Sequence, residues 1–247
     1  MKLKIFIAIT MFCSLLAVTS CSNSNPHAQL PKKDQQIVWS GARERSFGDS
    51  DYVDLSSKDE AMKVMKDKYK LSIPDYYEKA IKTIDSSLSS ETVKADKLQY
   101  LIYAKNEDLE LRTIYPFYEG ENLKFVAIVS LKYKFLRETK KARLRIQAVD
   151  IKNASSDQEF PKDKVILLAK ELGSIMRIDN SLIKSGIKGY EKQIKEANRQ
   201  FSNESVPVVS NRTGLDKDKE LGKSISALYD GFGKLTDVYA EISDDTK

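Results

Sequence analysis

The chain has 247 residues, with 41 Lys and Arg residues against 36 Asp and Glu residues, and a formal net charge of +5 at pH 7. This mild basicity gives no reason to expect a nucleic acid partner. The single histidine, His27, falls in a linker-like segment, and the two cysteines, Cys13 and Cys21, lie near the N-terminus. That placement excludes histidine-based triads, histidine zinc sites and a disulfide from the predicted folded part.

Residues 1–20 have the organisation of a secretory signal peptide. Lys2 and Lys4 precede an apolar run from Ile5 to Val18, and small residues close the segment. The run is too short to serve as a permanent membrane-spanning helix. We therefore expect residues 1–20 to be removed from the mature protein.

The order Val18-Thr19-Ser20-Cys21 resembles the lipobox of bacterial lipoproteins. The resemblance implies cleavage before Cys21 and a diacylglycerol on its sulfur, whose acyl chains hold the protein on a membrane. It also implies an extracytoplasmic location. Ser22 does not match the Asp that retains lipoproteins in an inner membrane, so a Gram-negative host implies the outer membrane. A Gram-positive host implies the cell membrane surface.

A polar stretch follows the cysteine. Residues 21–36 contain Pro26 and Pro31 and few apolar residues, a composition that predicts a flexible tether. The remainder divides by its patterns into an α+β domain over residues 37–160 and a helical region over residues 161–247.

Two helices are predicted early in the α+β domain. Ser57 and Glu60 have the spacing of a capping box at the start of the first helix. Pro74 suits the first turn of the second, which we expect to end in the Ser-rich stretch 86–90.

The period then changes from helical to alternating. Alternation over residues 98–104, 109–113, 123–135 and 144–151 predicts an antiparallel sheet of about four strands, and the run at 109–113 is expected to end before Pro116. Residues 98–104 also fit the end of a helix, but their aromatic and branched residues favour a strand. Short connections at 118–122 and 137–141 predict hairpins. The element order over residues 57–152 resembles that of cystatin-like and nuclear-transport-factor-like folds, including envelope proteins of conjugation machines. A resemblance in element order implies no particular activity.

The last third is predicted to be helical. Residues 165–175 share one helical face, and apolar residues recur at steps of four and three over 183–201 and again over 221–242. The two stripes predict an antiparallel helical hairpin. The predicted fold class is therefore α+β: two N-terminal helices, an antiparallel sheet of about four strands, and a C-terminal three-helix region containing the hairpin.

Two sets of residues are candidates for binding. The first is an apolar stripe on the predicted hairpin that either packs inside the domain or docks a partner protein: Ile225, Leu228, Phe232, Leu235 and Tyr239. The second is a basic patch for an anionic ligand: Lys132, Lys134, Arg143 and Arg145. Residues two apart share a strand face, and a hairpin would bring the two pairs side by side. The same cations are also typical of an exposed strand protected from edge pairing.

No phosphate-binding loop, nucleophile elbow or metal-ligand spacing is recognisable in the sequence, so we expect neither a cofactor nor a metal, and no enzymatic activity. The leading hypothesis is a lipid-anchored cell-envelope protein with a non-catalytic binding or assembly role, acting through protein–protein contacts. The alternative is a ligand-binding lipoprotein for a small apolar or anionic molecule. A carboxylate-based hydrolase ranks last.

Overall fold

The computed structural model describes residues 27–155, 158–196, 201–217 and 219–246. Cys21 and the predicted signal peptide lie outside the described residues.

One antiparallel sheet dominates the described part of the chain, and ten strands contribute to it. The strands are β1 (Ser40–Ala42), β2 (Gly48–Leu55), β3 (Val93–Ala95), β4 (Gln99–Asn106), β5 (Asp108–Glu119), β6 (Asn122–Leu136), β7 (Lys141–Asn153), β8 (Ser205–Ser210), β9 (Gly222–Tyr229) and β10 (Leu235–Ser243). Eight of them follow the order β2-β4-β5-β6-β7-β10-β9-β8, while β1 pairs with β7 and β3 pairs with β5. The C-terminal strands thus extend the sheet that the first half of the chain begins.

The helices are α1 (Lys32–Gln35), α2 (Lys58–Lys63), α3 (Asp75–Leu88), α4 (Lys162–Ile175) and α5 (Asn180–Glu196), and a π-helical turn (Val64–Lys68) continues α2. Helix α3 contacts β6 and α4, and α5 lies on β8. A Cβ at Gly186 would lie only 2.4 Å from the carbonyl oxygen of Val208, so this glycine allows α5 to touch the strand.

The two faces of the sheet have different environments. Along β6, Ala127, Val129 and Leu131 are buried, while Val126 and Ile128 between them are only half-buried. The pairing register places residues of β5 and β7 opposite each of these positions. We call the first side the covered face, because the helices pack on it, and the second side the open face.

Local sequence signals explain the start of the helical layer. Ser57 Oγ accepts a hydrogen bond from the amide of Glu60 at 3.2 Å, as the capping box predicts. The Glu60 carboxylate, however, accepts from the amide and hydroxyl of Ser56, both at 2.8 Å, and not from Ser57. Pro74 precedes α3, whose buried stripe includes Ala80, Ile84 and Leu88.

The predicted fold class is wrong in its proportions and in its C-terminal third. The four predicted strands correspond to β4–β7, but β5 continues through Pro116 to Glu119, and further strands flank this meander. The predicted helix over 183–201 is present as α5, whereas residues 222–243 form the β9–β10 hairpin instead of a second long helix. Residues 161–247 are therefore not a helical region, because their strands complete the sheet.

The structure also revises the predicted tether. Within residues 27–36, the side chains of His27, Leu30 and Asp34 are buried. Ile37 packs in the core, and its carbonyl oxygen accepts a hydrogen bond from Gln147 at 2.5 Å. The part of the tether that the structure describes is thus packed against the domain.

Candidate functional site

The open face is the side of the sheet opposite the covered face. Its central row runs across neighbouring strands through Ile114, Ile128, Asp150 and Tyr239, each of which is half-buried. Burial raises the pKa of Asp150, and the nearby Lys152 opposes this shift only in part. The middle of the open face therefore combines apolar and polar side chains.

A charged depression of about 410 Å³ lies on the open face, towards the end where β10 finishes. Its lining comes from β5, β6, β7 and β10 and from the segment after β8. We define the charged depression by four cations and three acids: Lys132, Lys134, Arg145, Arg212, Asp108, Glu241 and Asp245.

Each acid of the charged depression has one cation as its partner. Lys134 Nζ lies 3.8 Å from Asp108 Oδ1, and Arg145 Nη2 lies 3.2 Å from Asp245 Oδ1. Arg212 donates to Glu241, whose other carboxylate oxygen accepts from the Tyr239 hydroxyl at 2.7 Å.

Lys132 differs from the other three cations. It is exposed and has no hydrogen-bond or ion-pair partner among the residues that the structure describes. The charged depression therefore has one cation more than it has acids. Because Lys and Arg donors bind carboxylate and phosphate groups, this excess suits an anionic group better than a cation.

The predicted basic patch is brought together only in part. Lys132, Lys134 and Arg145 line the charged depression, but Arg143 does not. The pairing of β6 with β7 shifts register so that Lys132 is opposite Ile146 and Tyr133 is opposite Leu144. Arg145 is the extra residue of this bulge, and a bulge changes the direction of the side chains around it. Arg143 itself is directly opposite Lys134, but its side chain is buried and does not reach the charged depression.

Arg143 instead belongs to a buried cluster at the chain termini. Its Nη2 atom lies 3.0 Å from both carboxylate oxygens of Asp244, and its Nη1 atom donates to the carbonyl oxygen of Thr246 at 2.8 Å. Nε2 of His27 lies 2.8 Å from Oδ2 of Asp244. We call this cluster the terminal latch: His27, Arg143, Asp244 and Thr246. It joins residues that are 217 positions apart in the chain.

Asp244 is held in its charged form by the terminal latch. Burial by itself would raise its pKa, but the hydrogen bond with His27, the charge of Arg143 and the hydroxyl of Thr246 outweigh that effect and lower the pKa to about 2. All four members are nearly fully buried, so the terminal latch offers no surface to a substrate. His27 is thus part of the fold, contrary to its predicted place in a linker.

A second buried ion pair lies near the terminal latch. Lys223 Nζ, on β9, donates to Asp34 Oδ1, on α1, at 2.6 Å, and both side chains are buried. Burial lowers the pKa of Lys223, and the hydrogen bond and charge of Asp34 offset part of that shift. This pair also fixes the segment that was predicted to be a tether.

The predicted docking stripe does not form one surface. Ile225 and Leu235 are buried in the core, and Leu228 and Tyr239 are half-buried on β9 and β10. Phe232 is 88% exposed in the turn between the two strands. A strand alternates its side chains between two faces, so residues that share a helical stripe separate when the segment is extended.

Comparison of the chain with protein-family models, with curated proteins and with solved structures finds no match. Among the described residues, no helix combines the length and hydropathy needed to cross a membrane. Within the same residues, His, Cys, Asp and Glu side chains form no group of three or more that could hold a metal ion. The charged depression is the candidate site because it brings charged side chains of four strands and of the segment after β8 together.

Proposed function

We propose that this protein is a lipid-anchored, non-catalytic binding protein of the cell envelope, and that the charged depression binds an anionic group of its ligand. The lipid anchor is the predicted diacylglycerol on Cys21, and its acyl chains keep the protein on a membrane, facing the cell exterior or the periplasm. A carboxylate or a phosphate is the group that the four cations suit.

The observation that carries the proposal is the unequal pairing in the charged depression. Three cations already contact acids, and Lys132 has no partner among the described residues. An entering anion can contact Lys132 directly. It can also replace Asp245 as the ion-pair partner of Arg145, because that pair is partly exposed. Exposed ion pairs contribute about 0–1 kcal/mol, so this exchange costs little.

The binding test uses inorganic phosphate and short-chain polyphosphate with the full mature protein in isothermal titration calorimetry. Lys132→Ala removes a charge-assisted contact, and we expect the affinity to fall by about tenfold. Lys152→Ala is the matched control, because Lys152 is an exposed lysine of the neighbouring strand β7 that pairs with Asp150 outside the charged depression. Equal affinities of the two variants, or no binding by the unmodified protein, would contradict the proposal.

The anchor is tested separately. In cells supplied with a clickable fatty acid, the unmodified protein should incorporate the label and migrate as a cleaved form. Cys21→Ser should incorporate none and stay at the mass of the precursor. Equal labelling of both proteins would show that Cys21 is not the site of lipid attachment.

A second candidate function is the docking of a protein partner at the β9–β10 turn. The observation that favours it is the 88% exposure of Phe232, which stands between Gly231 and Gly233. Exposed aromatic residues are typical anchors of protein interfaces. A photo-crosslinking residue at position 232 should yield a specific adduct in the envelope, whereas one at Leu167, exposed on α4, should not. Adducts at both positions or at neither would remove this candidate.

A further inference from the structure

The position of His27 limits how far the folded domain can lie from its membrane. Cys21 precedes His27 by six residues. A fully extended chain spans at most about 3.3–3.6 Å per residue, so the lipidated sulfur lies within roughly 20 Å of the buried histidine. The sequence pattern predicted a longer tether, to residue 36, which would have left the orientation of the domain unrestricted.

The terminal latch lies at one end of the sheet. Arg143, its member on β7, is three residues from Lys140 in the β6–β7 turn, and His27 Nε2 lies 3.5 Å from the Arg143 guanidinium. The β9–β10 turn lies at the other end of β10, a strand of nine residues that spans about 30 Å at the usual strand rise. The anchor therefore enters the domain at the end opposite to Phe232.

A basic corner surrounds the β6–β7 turn at the anchored end. Several contacts hold its parts together: the amide of Arg43 donates to the carbonyl of Lys140 at 2.9 Å, and the Arg43 guanidinium donates to the carbonyl of Tyr69 at 2.7 Å. We define the basic corner by six cations and three acids: Arg43, Arg45, Lys70, Arg137, Lys140, Lys141, Glu44, Glu107 and Glu138.

The cations of the basic corner exceed its acids, and two of them are available to a partner. Arg137 pairs with Glu107. Arg45 and Lys140 are exposed and have no hydrogen-bond or ion-pair partner through their side chains within the described part of the chain. Burial and the positive charge of Arg45 both lower the pKa of Arg43, which agrees with like charges placed close together.

We propose that the basic corner docks on the anionic headgroups of the membrane that holds the lipid anchor, with the β9–β10 turn directed away from the bilayer. Two observations carry this inference: the short reach from Cys21 to His27, and the excess of cations at the end where the anchor enters. It rests on the lipid anchor of the proposed function. Basic residues near an anionic surface are attracted within a Debye length, so docking weakens in high salt.

The test uses the lipidated mature protein reconstituted in vesicles of phosphatidylcholine with or without phosphatidylglycerol. Cys21 carries the lipid, so Thr139→Cys provides the single free thiol for a fluorophore in the β6–β7 turn, and Phe232→Cys provides it at the far end. Spin-labelled headgroups should quench the label at position 139 only when phosphatidylglycerol is present. The label at position 232 should stay unquenched in both vesicles.

Charge variants make the test specific. In the Thr139→Cys background, Arg45→Gln with Lys140→Gln should lower the docking equilibrium constant by about fivefold for each cation removed. Lys192→Gln with Lys195→Gln is the control, because these two exposed lysines lie near the end of α5 and change the net charge equally. Equal quenching at positions 139 and 232, or no dependence on phosphatidylglycerol, would overturn the inference.

The intact mass of the same preparation distinguishes the two possible failures. If the mass includes diacylglycerol but the quenching does not depend on phosphatidylglycerol, only the docked orientation is overturned. A mass without the lipid overturns the anchor of the proposed function, and the orientation falls with it.

Discussion

Arg143 and Arg145 are two residues apart on β7, and their environments differ completely. Arg143 is 2% exposed and binds Asp244 and Thr246 in the terminal latch. Arg145 lies beside an open depression and pairs with Asp245, which is exposed. Arg143 is directly opposite Lys134 on β6, and contacts with Asp244 and Thr246 bury its side chain. Arg145 is the extra residue of the β6–β7 bulge and stays at the surface.

The difference separates charges that hold the fold from charges that are free to bind. A buried ion pair is strongly destabilising to break, because removing one partner leaves a buried charge without compensation. An exposed pair is screened by water and contributes little. The terminal latch therefore serves structure, and the charged depression can change partners at small cost.

The largest expected effect comes from breaking the terminal latch. Arg143→Ala leaves Asp244 buried without its main cation, and we expect the free energy of unfolding to fall by about 3–5 kcal/mol. Urea denaturation followed by circular dichroism measures this change. A loss of less than about 1 kcal/mol, as expected for an exposed pair, would show that Arg143 is not part of a buried ion pair in solution.

Acid should weaken the terminal latch in a defined pH range. The pKa of Asp244 is lowered from 3.8 to about 2, so the unfolded chain takes up a proton before the folded one does. The stabilisation is complete above about pH 4 and is lost as the pH falls through about 2, and it amounts to roughly 2 kcal/mol. Urea denaturation between pH 5 and pH 2 should show this slope for the unmodified protein.

Asp244→Asn is the control for the acid experiment. The amide does not titrate, so the contribution of this one residue to the pH dependence should disappear, although the variant starts from a lower stability. An unchanged pH dependence in Asp244→Asn would mean that other carboxylates cause the acid sensitivity.

The smallest expected effect is at the surface. Arg145→Ala should change the free energy of unfolding by at most about 1 kcal/mol, because its pair with Asp245 is exposed. A double-mutant cycle with Asp245→Ala measures the coupling of the pair directly. A coupling of several kcal/mol would place Arg145 with the structural charges and against the proposed exchange of partners.

The meander and the first helices could be predicted because their local patterns are clear, except over residues 98–104, which also fitted the end of a helix. The alternation along β6 from Leu123 to Phe135 has no helical equivalent, and the Ser57–Glu60 spacing is a local signal that the structure uses at α2. Both depend on contacts between residues close in sequence.

The β9–β10 hairpin was predicted to be a helix because small residues occupy many of its alternating buried and open-face positions. Ala227 and Ala240 occupy buried positions, and Ser224 and Ser226 occupy open-face positions, so the large apolar residues alone follow helical spacing. The overlooked signal is the turn Asp230-Gly231-Phe232-Gly233, where Gly233 has φ +76°. Glycine adopts that conformation readily, as hairpin turns require.

The terminal latch could not be predicted from local pattern. His27 and Asp244 stand near opposite ends of the chain, and each lies in a polar stretch that resembles an exposed terminus. Their burial depends on the way the sheet brings the two ends together, which no spacing within either segment indicates. Three of the four cations of the charged depression belong to the predicted basic patch: Lys132, Lys134 and Arg145. Arg212 was not predicted, because it comes from a distant segment of the chain.

The central claim is that the charges of the terminal latch hold the fold while those of the charged depression bind an anion. Its most direct test is a phosphate titration of the isotope-labelled mature protein, followed by NMR. The side-chain signals of Lys132, Arg145 and Arg212 should shift together as phosphate is added, while the guanidinium signal of Arg143 stays in place. Shifts at Arg143, or phosphate-dependent shifts confined to residues outside the charged depression, would contradict the assignment of binding to the open face.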